Sequence, residues 1–506
     1  MRTMRRLLLF VLCLPRVSGH AQDAPDTAIN ARIREEAFQH SQVMKIAFHL
    51  TDASGPRLSN SPGLERAQRW AIATMQQWGL VNTALESWGT FGQGWELKKD
   101  YLAMTSPYYQ PLIAYPDAWT RGSGGPFTAE VALYHPKDSA EQAALVGTLK
   151  GKLLLAPYTA IIQFPFEPEA TRYSDSDLWK MTQPRPRPVP RKPDTTRRRP
   201  APIPRPRMVS SNIFFQQERV LGVLSSRAQN RDGTVFVQGG GSRRWSDSLA
   251  PMRLQLAFED YHQVQRLVEE GVTVTLEGDI ETQAVQNDSV GYNVIGEIPG
   301  TDPQLKDRLV ILGGHLDSWQ SATGATDNGA GAAVMMEVMR ILTTMQIHPR
   351  RTIRIILWSG EEQGLLGSSG YVRKHYKNDS VAQSKVSAYY NLDNGSGKIR
   401  GIYLQGDTAA GPIFQKWLEG YRDLGATTVT LENTGGTDHL SFVSVGIPGF
   451  QFIQDPIEYD SRTHHSNMDT YDHLSPEDLE QASAVIAAFV YQTAMRDDMI
   501  PRKLAK

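Results

Sequence analysis

The second half of this sequence places histidine and carboxylate side chains directly after short apolar segments. His315 and Asp317 end the segment 308–317, and on a strand two residues of this spacing project to the same side. The carboxylate can then hold the imidazole in one tautomer, which favours metal binding. Asp327 follows in the glycine-rich segment 324–331, where it can either cap the next helix or bind a metal ion. These residue types are typical of a metal site with nitrogen and oxygen ligands.

Two further apolar segments lead into carboxylates. Glu361 and Glu362 follow the segment 352–358, which is apolar enough for a central strand, and glycines flank the pair. Because adjacent side chains point in different directions, one glutamate can bind a metal ion while the other acts as a general base. The segment 386–393 is also strand-like and ends in Asp393. Three separate segments therefore each deliver a carboxylate to the end of an apolar run.

The loop 463–470 adds two adjacent histidines, His464 and His465. Two histidines with three carboxylates, and no thiolate, suit two Zn²⁺ ions that share a bridging carboxylate and a water. The only cysteine, Cys13, lies in the basic and then apolar segment 1–21, which is typical of a cleaved secretory signal. The rest of the chain therefore offers no disulfide and no cysteine ligand, and its apolar runs are too short to span a membrane.

The spacing of apolar residues predicts the elements that must carry these side chains. From residue 300 onward, short apolar strands alternate with amphipathic helices, which is typical of an α/β sheet. Helices are predicted over 63–79, 328–345 and 475–495. The part 125–260 instead contains short strand-like runs bounded by glycine, proline and serine. Because ligands bind at the carboxyl ends of strands in open α/β sheets, we expect the acidic residues to meet at one edge.

The balanced total charge conceals two basic segments. The formal net charge is −1, but 1–21 contains four arginines and no acid, and 184–207 contains nine prolines and nine basic residues against one aspartate. Proline at alternate positions excludes a helix or a central strand, so we interpret 182–207 as an extended, solvated insertion. It is either a plain surface loop or a cationic tether for an acidic partner. The remainder is acidic, and the insertion has no interleaved aromatic residues, which argues against nucleic-acid binding.

In this order along the chain, the motifs resemble the M28 family of zinc exopeptidases. Within that family they resemble the carboxypeptidase Q-like, or plasma glutamate carboxypeptidase-like, branch, which carries a protease-associated domain. The resemblance covers nearly all of the chain after the leader. It depends on the segments 55–58 (GPRL), 94–96 (GWE), 313–319 (GGHLDSW), 324–331 (GATDNGAG), 351–354 (RTIR), 357–364 (LWSGEEQG), 436–439 (GTDH) and 464–470 (HHSNMDT).

The resemblance implies a role for each candidate residue. It implies that His315 and Asp393 bind one zinc ion, that Glu362 and His465 bind the other, that Asp327 bridges both, and that Glu361 is the general base. His465 is matched because the family's ligand stands four residues before an acidic residue and threonine, here Asp469 and Thr470. The residues expected to support the site or contact the substrate are Asp317, His464, Asp438, His439 and Arg462. Of these, Arg462 is a candidate cation for a substrate carboxylate. The family also implies a cis peptide bond between Asp327 and Asn328.

The resemblance also implies the fold and the domains. The expected fold is α/β, with a mixed, mostly parallel central sheet sandwiched by helices, of the zinc aminopeptidase-like or phosphorylase/hydrolase-like type, and an inserted β-rich protease-associated domain. The expected divisions are a signal peptide over 1–21, the N-terminal part of the peptidase domain over 22–120, the protease-associated domain over 121–260 with the insertion 182–207, and the catalytic domain over 261–506.

The implied activity is that of a secreted or periplasmic exopeptidase with two zinc ions. It hydrolyses terminal bonds of peptides or dipeptides, either as an aminopeptidase or as a carboxypeptidase Q-like dipeptidase. Two alternatives stay open: an inactive receptor or scaffold of the same fold, and a glutaminyl-cyclase-like acyltransferase. The complete ligand set argues against the first, and the presence of His315 argues against the second. The expected partners are peptide substrates, with a homodimer left open and neither nucleic acid nor a stable membrane span.

Overall fold

A computed structural model describes residues 23–183, 208–285 and 288–503. The predicted signal peptide 1–21, with Cys13, and almost all of the predicted insertion 182–207 lie outside the described residues. In the described ranges, every helix is too short or too polar to cross a membrane.

The described ranges contain eighteen strands and thirteen α-helices, with two π-helical turns at Ala325–Gly329 and Tyr459–Thr463. The strands are β1 (Val81–Thr90), β2 (Gly94–Lys99), β3 (Leu102–Ser106), β4 (Gln110–Pro111), β5 (Ala114–Pro116), β6 (Phe127–Leu133), β7 (Leu153–Leu155), β8 (Gly222–Ser225), β9 (Met252–Leu256), β10 (Thr275–Gly278), β11 (Glu281–Val285), β12 (Val290–Ile298), β13 (Leu309–His315), β14 (Thr352–Trp358), β15 (Val386–Asn391), β16 (Ile399–Tyr403), β17 (Thr428–Thr430) and β18 (Gly449–Gln454). The helices are α1 (Thr27–Gln39), α2 (Val43–Leu50), α3 (Pro62–Gln77), α4 (Ser139–Ala144), α5 (Asp175–Thr182), α6 (Ser211–Gln217), α7 (Phe258–Glu269), α8 (Ala330–Thr344), α9 (Leu366–His375), α10 (Ser380–Lys385), α11 (Gly411–Leu418), α12 (His439–Val443) and α13 (Pro476–Met495).

The central sheet is mixed and mostly parallel, as predicted. Its strand order is β1-β12-β14-β13-β15-β18-β16-β17. β13 lies in the middle and pairs in parallel with β14 and β15, and β15 pairs in parallel with β18. The antiparallel pairs are β1 with β12, β12 with β14, and β16 with β18. The parallel block therefore directs the carboxyl ends of four neighbouring strands to one edge of the sheet.

Side chains of the central strands alternate between two apolar layers. In β13, Val310 and Leu312 face the layer that contains α1, α2, α3, α8 and α13, whereas Ile311 faces the layer that contains α9 and α12. Both faces are buried, which is why these strands are continuously apolar in sequence. α8 is buried on nearly every side because α2, α13 and the sheet enclose it, so its apolar surface is wider than the single stripe that the sequence indicates.

The predicted helices form with small shifts at their ends. The prediction 63–79 corresponds to α3, and 475–495 corresponds to α13. The predicted helix 328–345 begins later, at Ala330, because Asp327 and Asn328 have non-helical dihedral angles inside the π-helical turn. The peptide bond between these two residues is cis.

A second sheet has the strand order β4-β3-β10-β6-β7-β8-β9-β5. Its own apolar core includes Leu153, Leu254 and Leu276, and α7 packs against it. Its strands extend from Leu102 to Gly278, so they begin before and end after the predicted division 121–260. The change in composition marks only the middle strands, whereas β3 and β10 join the sheet through long-range antiparallel pairing that composition does not reveal.

Candidate metal centre

Five candidate side chains converge where the parallel strands of the central sheet end. His315 is the last residue of β13, Glu362 follows β14, and Asp393 follows β15. Asp327 lies in the first π-helical turn, and His465 lies just beyond the second one. The carboxyl edge of the sheet therefore brings together the residues that the sequence singled out, as expected for an open α/β sheet.

Asp327 stands between two histidines. Its Oδ1 lies 3.2 Å from Nε2 of His315, and its Oδ2 lies 3.1 Å from Nε2 of His465. Nε2 of His315 also lies 3.2 Å from Oδ1 of Asp393, and Nε2 of His465 lies 2.9 Å from Oε2 of Glu362. The cluster thus has two halves, each with one histidine and one carboxylate, and Asp327 joins them. Within the described residues, the side chain of Asp327 makes no capping hydrogen bond to the start of α8.

The chemistry of this cluster fits a metal centre. The ligand atoms of His315, Asp327 and Glu362 all lie within 4.8 Å of one another. Oε1 of Glu362 is buried and has no hydrogen-bond partner among the described residues. Burial, followed by the charge of Asp327, raises the pKa of Glu362 to about 8. Buried carboxylates this close repel one another, and a divalent cation between them removes the repulsion.

Glu361 borders the cluster. Its Oε2 lies 4.0 Å from Nε2 of His315, farther than the four contacts within the cluster. Burial raises the pKa of Glu361 well above its usual range; the nearby His315 opposes this shift, and Asp393 adds to it. A carboxyl group with a raised pKa beside a metal cluster is suited to moving protons at neutral pH.

Asp317 fixes the turn that carries the two glutamates. Its Oδ1 accepts a hydrogen bond from the backbone N–H of Glu361 at 3.2 Å, and its Oδ2 accepts one from Glu362 at 3.3 Å and one from the Ser59 hydroxyl at 2.9 Å. The expectation that this carboxylate orients His315 is wrong. Nδ1 of His315 lies 2.9 Å from the Asp317 backbone carbonyl and 3.6 Å from Oδ1, so the carbonyl oxygen is its partner.

His464 lies at the rim of the cluster. Its Nε2 is 3.7 Å from Oδ2 of Asp327, its ring stacks on Tyr459 at 4.7 Å between centroids, and its side chain is 40% exposed. Burial lowers the pKa of His464, so the neutral imidazole predominates at pH 7. The ring therefore separates part of the cluster from solvent.

Asp438 and His439 are buried at the start of α12, behind the cluster. Burial raises the pKa of Asp438 to about 7 and lowers that of His439 to about 4. Nε2 of His439 lies 2.9 Å from the side-chain amide of Gln405. Both side chains are therefore enclosed by the protein, and their role in supporting the site stays a prediction.

Arg462 does not offer a free cation. Its Nη2 lies 3.3 Å from Oε2 of Glu169, and its Nε lies 3.5 Å from Oε2 of Glu458. Two carboxylates already pair with its guanidinium, so a contact between Arg462 and a substrate carboxylate stays a prediction.

Comparison with known proteins assigns the central sheet and its site to a family. Residues 293–490 match the model of peptidase family M28. This segment belongs to that family. The chain is therefore a hydrolase that acts on peptide bonds, and its M28 segment contains all five clustered side chains and Glu361.

Relatives of this M28 peptidase match between about half and nearly all of its length. Carboxypeptidase Q from Mus musculus is 26% identical over 458 residues, which cover 90% of this chain and 86% of that protein. Aminopeptidase YwaD from Bacillus subtilis is 32% identical over 47% of this chain and 52% of its own length. The solved structure of a peptidase M28 precursor from Shewanella amazonensis superposes with a TM-score of 0.66 at 23% identity, covering 95% of this chain and 99% of that one. A zinc aminopeptidase from Bacillus subtilis has the same fold, with a TM-score of 0.54, 18% identity and coverage of 90% and 95%.

Two buried side chains of this M28 peptidase were not among the sequence candidates. Asp469 accepts hydrogen bonds from the backbone N–H groups of Thr326 at 2.5 Å and Asp327 at 3.1 Å, so it holds the first π-helical turn. Arg57 is fully buried and donates to the carbonyls of Leu316 and Gly324, which lie between His315 and Asp327 in sequence. Both stand inside segments that carry the resemblance to the M28 family, 55–58 and 464–470.

The third overlooked residue, Gln238, comes from the segment between β8 and β9 of the second sheet. Its side-chain amide lies 2.9 Å from Nδ1 of His465. When Nε2 of His465 binds a metal ion, its Nδ1 carries the proton. The Gln238 amide oxygen accepts a hydrogen bond from that N–H after a half-turn of the amide group about its Cγ–Cδ bond. Three glycines follow Gln238, and a Cβ at Gly241 would stand 1.9 Å from the backbone oxygen of Trp119. This glycine run is the signal that was available in the sequence.

Proposed function

We propose that this M28 peptidase is an exported exopeptidase that binds two zinc ions and removes a terminal residue from short peptides. The observation that carries the proposal is the position of Asp327 between two histidine–carboxylate pairs. We infer that His315 and Asp393 hold one ion, that Glu362 and His465 hold the other, and that Asp327 contacts both. The second sheet, in this proposal, is the protease-associated domain.

The orientation of the histidines supports these roles. Nδ1 of His315 donates to a backbone carbonyl, which leaves the lone pair of Nε2 directed at the cluster. The side-chain amide of Gln238 plays the same part for His465. Zinc in such a site polarises the scissile carbonyl and lowers the pKa of water to about 7.

Glu361 is the group that moves protons in this proposal. It stands beside the cluster, and its raised pKa allows the carboxylate to accept a proton from the attacking water and to deliver it to the leaving amine. Asp317 fixes the backbone of Glu361 and Glu362 together, so the two carboxylates keep distinct directions. His464, at the rim, limits the access of bulk water.

Metal analysis combined with a peptide panel tests the proposal. We expect two zinc ions per chain by elemental analysis, hydrolysis of dipeptides, loss of this activity after treatment with a chelator, and its return on addition of Zn²⁺. Peptides with blocked amino or carboxyl termini identify the end that is cleaved. A protein that holds no zinc, or one that stays fully active after complete removal of metal, would contradict the proposal.

A further inference from the structure

A cavity of about 470 Å³ lies beside the metal centre. Gln238 and Gln363 both line it; Gln238 contacts His465, and Gln363 is the residue after Glu362. The remaining lining residues are Trp119, Trp319 and the segment 239–244 without Gly240. A group bound in this cavity would therefore lie next to the half of the cluster that contains Glu362 and His465.

Three residues that line the cavity have buried donor nitrogens without a hydrogen-bond partner. Among the described residues, nothing accepts from Nη1 of Arg243, Nε1 of Trp319 or Nε2 of Gln363. Buried donors in folded proteins almost always have an acceptor. Three such donors around one cavity indicate a ligand that accepts several hydrogen bonds.

The charge of Arg243 indicates that this ligand is an anion. The guanidinium lies over the ring of Phe91, 4.9 Å from its centroid, and within the described chain no carboxylate pairs with it. Arg462 is the contrasting case, because Glu169 and Glu458 pair with it. The neighbour Arg244 is exposed. Arg243 is therefore the half-buried cation of this cavity for which the described residues provide no carboxylate partner.

A series of aromatic rings connects Arg243 with the metal centre. Beyond Phe91 the series continues through Trp119 and Trp319 to His465, with 6.2 Å between the centroids of each successive pair. These rings give the cavity an apolar wall, along which the carbon skeleton of a peptide residue can pack. The cavity thus combines an apolar side with a cationic end.

We propose that this cavity binds a carboxylate of the substrate, with Arg243 as the charged donor and Gln363 and Trp319 as neutral donors. The inference rests on the proposed exopeptidase function and adds the substrate class, which is short peptides with an anionic group on the residue that leaves. A guanidinium recognises a carboxylate through two parallel N–H groups. The carboxylate can be the free C-terminus of a dipeptide or an acidic side chain.

Three peptides distinguish these sources: Leu-Leu, its C-terminal amide, and the amide of Leu-Asp. We expect the wild type to hydrolyse at least one of the two carboxylate-containing peptides with a kcat/KM about 10- to 100-fold above that for Leu-Leu amide. Preference for Leu-Leu assigns the cavity to the free C-terminus, and preference for Leu-Asp amide assigns it to the side chain. Arg243→Met should abolish the preference, and Arg243→Lys should retain part of it. The control Arg121→Met removes an exposed arginine of the same part of the chain and should keep the preference.

Binding measurements separate this inference from the proposed function. Each peptide is titrated by calorimetry into the Glu361→Gln protein and into the double variant that also carries Arg243→Met. We expect the carboxylate to tighten binding only when Arg243 is present. Equal Kd values for the three peptides, or a preference that survives in a folded Arg243→Met protein, would overturn the inference. A wild type that binds in this carboxylate-dependent way but cleaves none of the peptides would contradict the exopeptidase function alone.

Discussion

At the scale of single residues, the pair Glu361–Glu362 illustrates how neighbouring carboxylates acquire different tasks. Glu362 lies 2.9 Å from Nε2 of His465, inside the cluster, whereas Glu361 stays 4.0 Å from Nε2 of His315. Asp317 accepts a hydrogen bond from the backbone N–H of each. Asp317 thus fixes the backbone of the turn, while the side chain of Glu362 points toward His465 and that of Glu361 points toward His315.

Replacement of either glutamate separates metal binding from proton transfer. Glu361→Gln should retain zinc and lose about 10²- to 10⁴-fold in kcat/KM, because it removes the acid–base group but no ligand. The matched variant Glu362→Gln should lose bound zinc as well. Elemental analysis and steady-state kinetics on the same preparations check both. Near-native turnover of Glu361→Gln would refute its assignment as the general base.

At the scale of elements, the site depends on two irregular pieces of backbone beside regular strands. The π-helical turn Ala325–Gly329 carries Asp327, and Asp469 holds it through two backbone N–H groups. Arg57 is buried and donates to the carbonyl of Leu50 at the end of α2 and to those of Leu316 and Gly324 at the two ends of the connection from β13 to the π-helical turn. Strand β13 sets the position of His315, but these bonds set the position of the loop that follows.

Loss of the Arg57 side chain should disorganise this loop. Arg57→Met leaves several buried carbonyls without donors, so we expect the free energy of unfolding to fall by about 3 kcal/mol or more and zinc affinity to fall with it. Arg66→Met is the control, since Arg66 is exposed and, within the described residues, its side chain donates to the carbonyl of Ser54. The control should cost about 1 kcal/mol. Denaturant unfolding of the metal-free proteins measures the difference, and equal losses would argue against the role of Arg57.

At the scale of the whole molecule, the second sheet and the central sheet meet at the loop that contains His465. The backbone N–H of Val237 donates to the carbonyl of His465 at 2.9 Å, and that of Asn467 donates to Val235 at 3.1 Å. A second junction lies at Arg172, whose guanidinium is 3.0 Å from Asp455 and 2.6 Å from Asp478. The second sheet thus contributes to the geometry of the site as well as to its walls.

The first junction can be weakened at one side chain. Asn467 accepts from the N–H of Val235 at 2.7 Å and donates to the carbonyl of Gly233 at 3.1 Å. Asn467→Ala removes both bonds, so we expect about 10-fold lower kcat/KM and a stability loss of about 1–2 kcal/mol. The exposed Asn378→Ala serves as the control and should change neither quantity. Unaltered kinetics in a folded Asn467→Ala protein would show that this junction does not affect the site.

Local sequence features predicted the parts of the molecule that depend on short-range order. The apolar runs predicted strands β13 and β14, and the polar residues at their ends predicted His315 and the two glutamates as site residues. Gln238 was not predicted, because its function arises from contact between two segments that are far apart in sequence. The ion pair of Arg462 with Glu169 was not predicted for the same reason, since Glu169 lies on a distant segment. The leader, the insertion and a homodimer stay predictions.

The pairing of β1 with β12 constrains the order in which the chain can fold. These strands are antiparallel neighbours in the central sheet, yet the whole second sheet lies between them in sequence. Closure of so long a loop is slow, and until β12 pairs with it the edge of β1 is exposed and can pair with strands of other chains. Because β3 to β10 can pair with one another before β12 is synthesised, an early second sheet would shorten the effective distance between the two partners. The second sheet would then accelerate the folding of the central sheet.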